Sequence, residues 1–247
     1  QNSSARSPVG PARARPTSGL VPVVRVDTLG DQAYAQIREA LASGSIPPGE
    51  RLTVRGLVQA LSIGFTPARE ALNRLAAESV LTHGPNRTLR VPTLTRAKYE
   101  ELVAIRSELE PLAACKALPY LAGPQLKALE QTQRRLLMAM KRRDYPQVLA
   151  FNRDFHFAIY RAAPMPTLVG MIEGLWLQIG PTLRLLYPGY AANWKGGANH
   201  AEILESIRAS DAGRLTLAIR KDLDDGRVPI AAALAEADGA MTRRDST

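Results

Sequence analysis

The run Thr66-Pro67-Ala68-Arg69-Glu70-Ala71-Leu72-Asn73-Arg74-Leu75 restricts the fold more than any other part of the chain. The Thr66 hydroxyl is placed to cap a helix start by accepting an orphan backbone N–H. Pro67 suits the first helical position, where a missing N–H costs nothing. Ala68, Ala71, Leu72 and Leu75 then recur at i, i+3, i+4 and i+7 and form one apolar stripe. Arg69 and Asn73 lie one turn apart on another face. A short helix with Arg and Asn near its N-terminal end has the chemistry to read a duplex, because Arg pairs bidentately with guanine and Asn with adenine in the major groove. Taken alone, Arg69 fits a solvated surface arginine equally well.

The surrounding order decides more. Tyr34, Ile37 and Leu41 predict a first helix, closed by Gly44 and the Pro47-Pro48-Gly49 turn. Thr53 is placed to cap a second helix carrying Val54, Leu57 and Leu61, and Ser62-Ile63-Gly64-Phe65 turns into the third. Val80-Leu81-Thr82 and Leu89-Arg90-Val91 read as two short strands around a basic-tipped hairpin, Gly84-Pro85-Asn86-Arg87. Three helices and a β-wing make a winged helix-turn-helix.

These segments resemble the DNA-binding head of the GntR family of bacterial transcription regulators. The resemblance is carried by Ile46-Pro47-Pro48-Gly49-Glu50-Arg51-Leu52, by Thr66-Pro67-Ala68-Arg69-Glu70-Ala71-Leu72 and by Gly84-Pro85-Asn86-Arg87. It covers residues 28–94 and implies that Arg55, Arg69 and the wing residues Arg87 and Arg90 contact operator DNA, with Thr66 and Asn73 beside them. His83, at the start of the wing, is open to a phosphate or base contact and equally to a solvated turn. One departure stands out: where the family has Ser-Arg before Thr-Pro, this chain has Gly64-Phe65.

Composition narrows the class. The 247 residues are 45% apolar and 5% aromatic, and the Leu/Ala/Ile spacing favours helices over sheets. A single cysteine, Cys115, excludes an internal disulfide or a cysteine zinc site and suits a reducing cytoplasm. No apolar run approaches the ~20 residues of a membrane span, and no signal-peptide pattern is visible. The net charge of +9 is spread over the chain, so the placement of Arg55, Arg69, Arg74, Arg87 and Arg90 is the more telling observation. Residues 1–27, rich in Pro, Ser, Gly and Arg, are expected to be a disordered basic tail.

From Arg96 onward the chain predicts helices at roughly 96–119, 123–143, 146–163, 166–187, 198–210, 211–226 and 228–237, punctuated by prolines and glycines. Short connections argue for an antiparallel bundle, so the expected fold is mainly α: winged helix-turn-helix, then an all-helical bundle at 95–240 and a tail at 241–247. This half resembles the FCD effector domain of the FadR-like branch of the same family. Ile105-Arg106-Ser107-Glu108-Leu109-Glu110, Asn152-Arg153-Asp154-Phe155-His156, Leu175-Trp176 and Asn199-His200-Ala201-Glu202-Ile203-Leu204 carry it.

Asn152 and His156, four apart, share one helix face and offer an amide oxygen and an imidazole nitrogen to one ion. His200 lies on a later helix. Where the family has a third histidine, this chain has Asp222; where the family often has Asp, it has Asn152. The resemblance thus implies a set of Asn152, His156, His200 and Asp222, a mixture that suits zinc, nickel or manganese. The competing reading is a hydrogen-bonded core pair of histidines; two histidines at both expected positions favour the metal. Arg106 is the candidate grip for an anionic effector through two parallel hydrogen bonds, and the resemblance implies small organic acids. Arg184 is a second candidate anchor. For either arginine the alternative is an ion pair with Glu108, Glu110 or Glu173, and for Arg184 that alternative is favoured.

The expected function is a one-component regulator: a homodimer that binds operator DNA through its heads, senses a small organic acid in its bundle and acts as a repressor, on analogy with the family. The alternative is a metal-dependent enzyme acting on a small organic acid. Against it, no nucleophile motif, phosphate loop or general base accompanies the proposed ligands.

Overall fold

The computed structural model describes residues 27–84, 88–187 and 195–244, with side chains to residue 239. Most of the expected tail, and Arg87 in the wing, lie outside the described residues.

In the head, α1 (Leu29–Ala42) starts with a capping box: Thr28 accepts the Asp31 N–H, and Asp31 accepts the Thr28 N–H. Helix α2 (Val54–Leu61) is capped by Thr53, as expected. Helix α3 (Phe65–Ala77) begins earlier than its sequence suggested: Gly64 is the N-cap and Thr66 lies inside the first turn. Pro67 still fits, because N–H groups of the first turn have no intrahelical acceptor. Ser62 turns the chain from α2 with φ 53°.

The predicted strands appear as β2 (Thr82–His83) and β3 (Leu89–Arg90), each displaced toward the hairpin or shortened. A third, unforeseen strand, β1 (Arg51–Leu52), pairs antiparallel with β3, giving the order β1-β3-β2. Two residues carry no alternation pattern, so β1 has no sequence signature. The stripe Ala68, Ala71, Leu72 and Leu75 is buried against Ala33, Ile37 and Leu41 of α1.

The second half is a helical bundle: α4 (Arg96–Ala117), α5 (Pro124–Lys141), α6 (Tyr145–Tyr160), α7 (Pro166–Ile179), α8 (Gly196–Arg208) and α9 (Ala212–Arg244). Helix α9 packs on α4 and α8, and α5 on α6. Two expectations are corrected. The helix predicted over 166–187 ends at Ile179 and continues as a tighter 3-10 segment, Gly180–Leu186, because Pro181 lacks an N–H. The predicted break near residue 227 does not occur. Helix α9 runs through Pro229 because Ile230, Ala231 and Leu234 are buried in the bundle core, and that burial outweighs one lost hydrogen bond.

The two halves meet. Leu177 of α7 belongs to the head's core. The C-terminal end of α1 lies so close to Gly180 that a Cβ there would collide with the Leu41 carbonyl and come within 2.7 Å of Ala42 Cα.

Candidate functional site: a histidine–carboxylate pocket and an exposed helix face

In the head, Arg55, Thr66, Arg69 and Asn73 are exposed; the last three line one groove on α3 with Glu70 and Arg74. Arg74 and Arg90 have structural partners. Arg74 bonds Asp31 at 2.6 Å and lies over the Tyr34 ring. Arg90 donates to the Gly49 carbonyl at 3.3 Å and ties the wing to the Pro-Gly turn. His83 is exposed on β2.

In the bundle, His156 (α6), His200 (α8) and Asp222 (α9) converge, with one ligand atom of each within 4.8 Å of the others. His156 Nε2 is 3.1 Å from Asp222 Oδ2 and 3.3 Å from His200 Nε2. Their outward nitrogens fix the tautomers. The Gln133 amide donates to the Gly197 carbonyl, so its oxygen faces His200 Nδ1 at 2.7 Å and accepts that N–H. The Tyr160 hydroxyl donates to Glu110 at 2.7 Å, so its oxygen accepts the His156 Nδ1–H at 3.2 Å. Nε2 of each imidazole and a carboxylate oxygen of Asp222 therefore face one another, an arrangement that can hold one cation, either a proton shared between His156 and Asp222 or a metal ion.

Electrostatics agree. Burial lowers the His200 pKa to about 3, with Asp222 pulling the other way, so the ring is neutral at pH 7. Burial raises the Asp222 pKa, but hydrogen bonds and charge from His156, then His200 and Asn199, outweigh it and hold the carboxyl below its usual value.

Asn152 lines the same cavity one turn before His156, together with Arg106, Tyr99 and Trp176. The cavity is small, about 70 Å³. Arg106 is buried. Its Nε bonds Glu110 at 2.5 Å, and its η nitrogens have no protein acceptor among the described residues. Glu110 also accepts from Trp176 Nε1 at 2.8 Å. Burial opposes the Arg106 charge, and Glu110 more than offsets this, raising its pKa.

Arg184 does not join this site. Its Nη1 donates to the Ser45 carbonyl at 3.1 Å, across to the head. Sequence reasoning missed Gln133 and Tyr160 as supports; Glu110 it offered only as an ion-pair partner for Arg106, and that pair is present.

Comparison with known proteins now places the chain. Residues 29–91 match the model for bacterial regulatory proteins of the gntR family, and residues 101–225 match the FCD domain. The chain belongs to the GntR family, in its FCD-bearing branch. It is 35% identical over 176 residues to the HTH-type transcriptional regulator McbR of Escherichia coli K12, covering 71% of this chain and 76% of McbR. A solved structure of E. coli McbR/YncC superposes with a TM-score of 0.79 at 29% identity, covering 83% of this chain and 98% of that one. A GntR-type structure from Rhodococcus sp. RHA1, 19% identical with a TM-score of 0.67, shares the fold; it covers 83% of this chain and is itself 98% covered. The HTH-type transcriptional repressor RspR of E. coli K12 is 20% identical over 197 residues, 80% of this chain and 86% of RspR. This GntR protein is thus a DNA-binding transcriptional regulator with a ligand-sensing FCD domain. Its families and relatives are regulators, which sets aside the metal-dependent enzyme.

Proposed function

We propose that this regulator senses a small organic acid anchored by a divalent metal at His156, His200 and Asp222, with Asn152 beside them. The single observation behind this is the convergence of Nε2 of His156 and Nε2 of His200 on one carboxylate. A divalent ion bound there supplies a positive anchor for an acid oxygen. The η nitrogens of Arg106 complete the grip on the carboxylate, and the small cavity favours a short acid.

The head, residues 28–94, reads operator DNA through Arg55, Thr66, Arg69 and Asn73, with the wing residues Arg87 and Arg90 at its edge. The FCD half, residues 95–240, carries the dimer contact. Supporting a dimer, Leu112 of α4 and Leu217 of α9 are 42% and 69% exposed on adjoining turns of two packed helices. The chain acts in the cytoplasm, as a repressor; RspR, whose name states that role, supports this direction. No helix among the described residues is long and apolar enough to cross a membrane.

Metal analysis and melting test the site together. Metal ligation in a site that exists only when folded contributes to stability. Chelator is therefore expected to lower the melting temperature of the wild type and to leave His156→Ala/His200→Ala almost unmoved. Metal-supplemented protein that remains empty sinks the metal reading, and the histidines then bind the acid directly.

A further inference from the structure

Phe65 is the first residue of α3 and is 58% exposed. An isolated exposed apolar side chain is ordinary on a protein surface, so exposure alone carries nothing. Its position does. Phe65, Arg69 and Asn73 follow at intervals of four along one side of α3, away from the buried stripe Ala68, Ala71, Leu72 and Leu75. Among the described residues of the head, Leu29 is the other large apolar side chain so exposed, and it lies at the start of α1. Thr66, next to Phe65, lines the same groove as Arg69 and Asn73.

The N-terminal residues of a recognition helix are the ones that reach base edges in the major groove. Exposed cations at Arg55 and Arg69 make that groove's phosphate walls the matching partner. A phenyl ring offers no hydrogen bond to a base. In the major groove, the group it matches is the one apolar group a base presents there, the 5-methyl of thymine. We infer that Phe65 is a specificity-determining residue that packs on a thymine methyl in each operator half-site, beside the base read by Arg69. This rests on the reading of α3 as the recognition helix.

The test uses the full chain and a duplex selected from random sequence by its binding to the wild type. Each thymine of one half-site is replaced in turn by deoxyuridine, which removes the methyl group alone. At one thymine the wild type is expected to lose about fourfold in affinity, the worth of one buried carbon group. Phe65→Ala is expected to be indifferent at that thymine while keeping its sensitivity elsewhere. Phe65→Leu, which keeps an apolar contact, should retain part of the preference, and Phe65→Arg should lose it and steepen the salt dependence. Melting curves of each variant check that the fold is intact. A Phe65→Ala protein with the wild-type uracil profile overturns the inference, as does a selected half-site with no discriminating thymine. Failure to select any duplex overturns the recognition-helix reading itself and is distinct from both.

Discussion

Glu110 is fully buried and holds three donors: Arg106, Trp176 Nε1 and, through its other oxygen, the Tyr160 hydroxyl. Its Oε1 bonds Arg106 and Trp176, which present the cavity wall, and its Oε2 bonds the tyrosine that orients His156. Removing the carboxylate leaves a buried guanidinium without its counter-charge, which costs about 3–5 kcal/mol. Glu110→Ala is therefore expected to destabilise the bundle by that amount in denaturant unfolding and to weaken metal binding at His156. A loss under about 1 kcal/mol would mean that the Arg106 charge is solvated instead. At this scale the sequence was partly legible. His156, His200 and Asp222 were picked out through the resemblance to the FCD domain, and the structure brings the three together. Gln133 was not picked out, because it meets His200 across 67 positions of chain, and no local pattern records such a contact. The partners of Arg184 were hidden for the same reason: its structural role was the favoured reading, but the carbonyls of Gly44 and Ser45 that it bonds lie about 140 positions away.

Among the elements, α1 shows how a helix start depends on pH. The Asp31 pKa is lowered from 3.8, first by the Thr28 hydroxyl, then by the Arg74 hydrogen bond and the Thr28 backbone. A carboxyl with a depressed folded-state pKa contributes stability that is fully present above its unfolded value and is lost as pH falls through its folded value. Asp31→Asn is thus expected to lower the head's melting temperature at pH 7, with the gap to the wild type closing below about pH 4 as Asp31 itself is protonated. A gap that persists unchanged at pH 3 would assign the effect to shape rather than charge. That α1 to α8 are helices was legible because apolar period, caps and prolines agree along them, although α7 stops at Ile179, short of the predicted 187. Helix α9 was not: Pro229 reads as a stop locally, and only the burial of Ile230 and Leu234 explains why the helix continues.

Across the whole molecule, the segment Gly180–Leu186 is one wall with two faces. Leu183 and Leu186 line the histidine cavity, while Gly180 and Arg184 meet the end of α1. Arg153 of α6, one residue past Asn152, pairs with Glu39 of α1 at 3.1 Å. A ligand shifts an equilibrium only through unequal contacts with its two states. This wall is where cavity occupancy and head position can bear on each other. The contact is close because neither side has a side chain there. Gly44 has φ +68°, and a Cβ on it would sit 2.8 Å from the Gly180 carbonyl. Gly180→Ala is therefore expected to weaken docking by about 1–3 kcal/mol, the usual cost of overpacking. Metal content should stay at the wild-type level, because the ligands lie on other helices. The radius of gyration in solution scattering should rise as the head separates, and operator affinity should no longer respond to chelator. A Gly180→Ala protein that keeps both the wild-type dimensions and the wild-type response would show that the signal reaches the head by another route, through the chain joining β3 to α4.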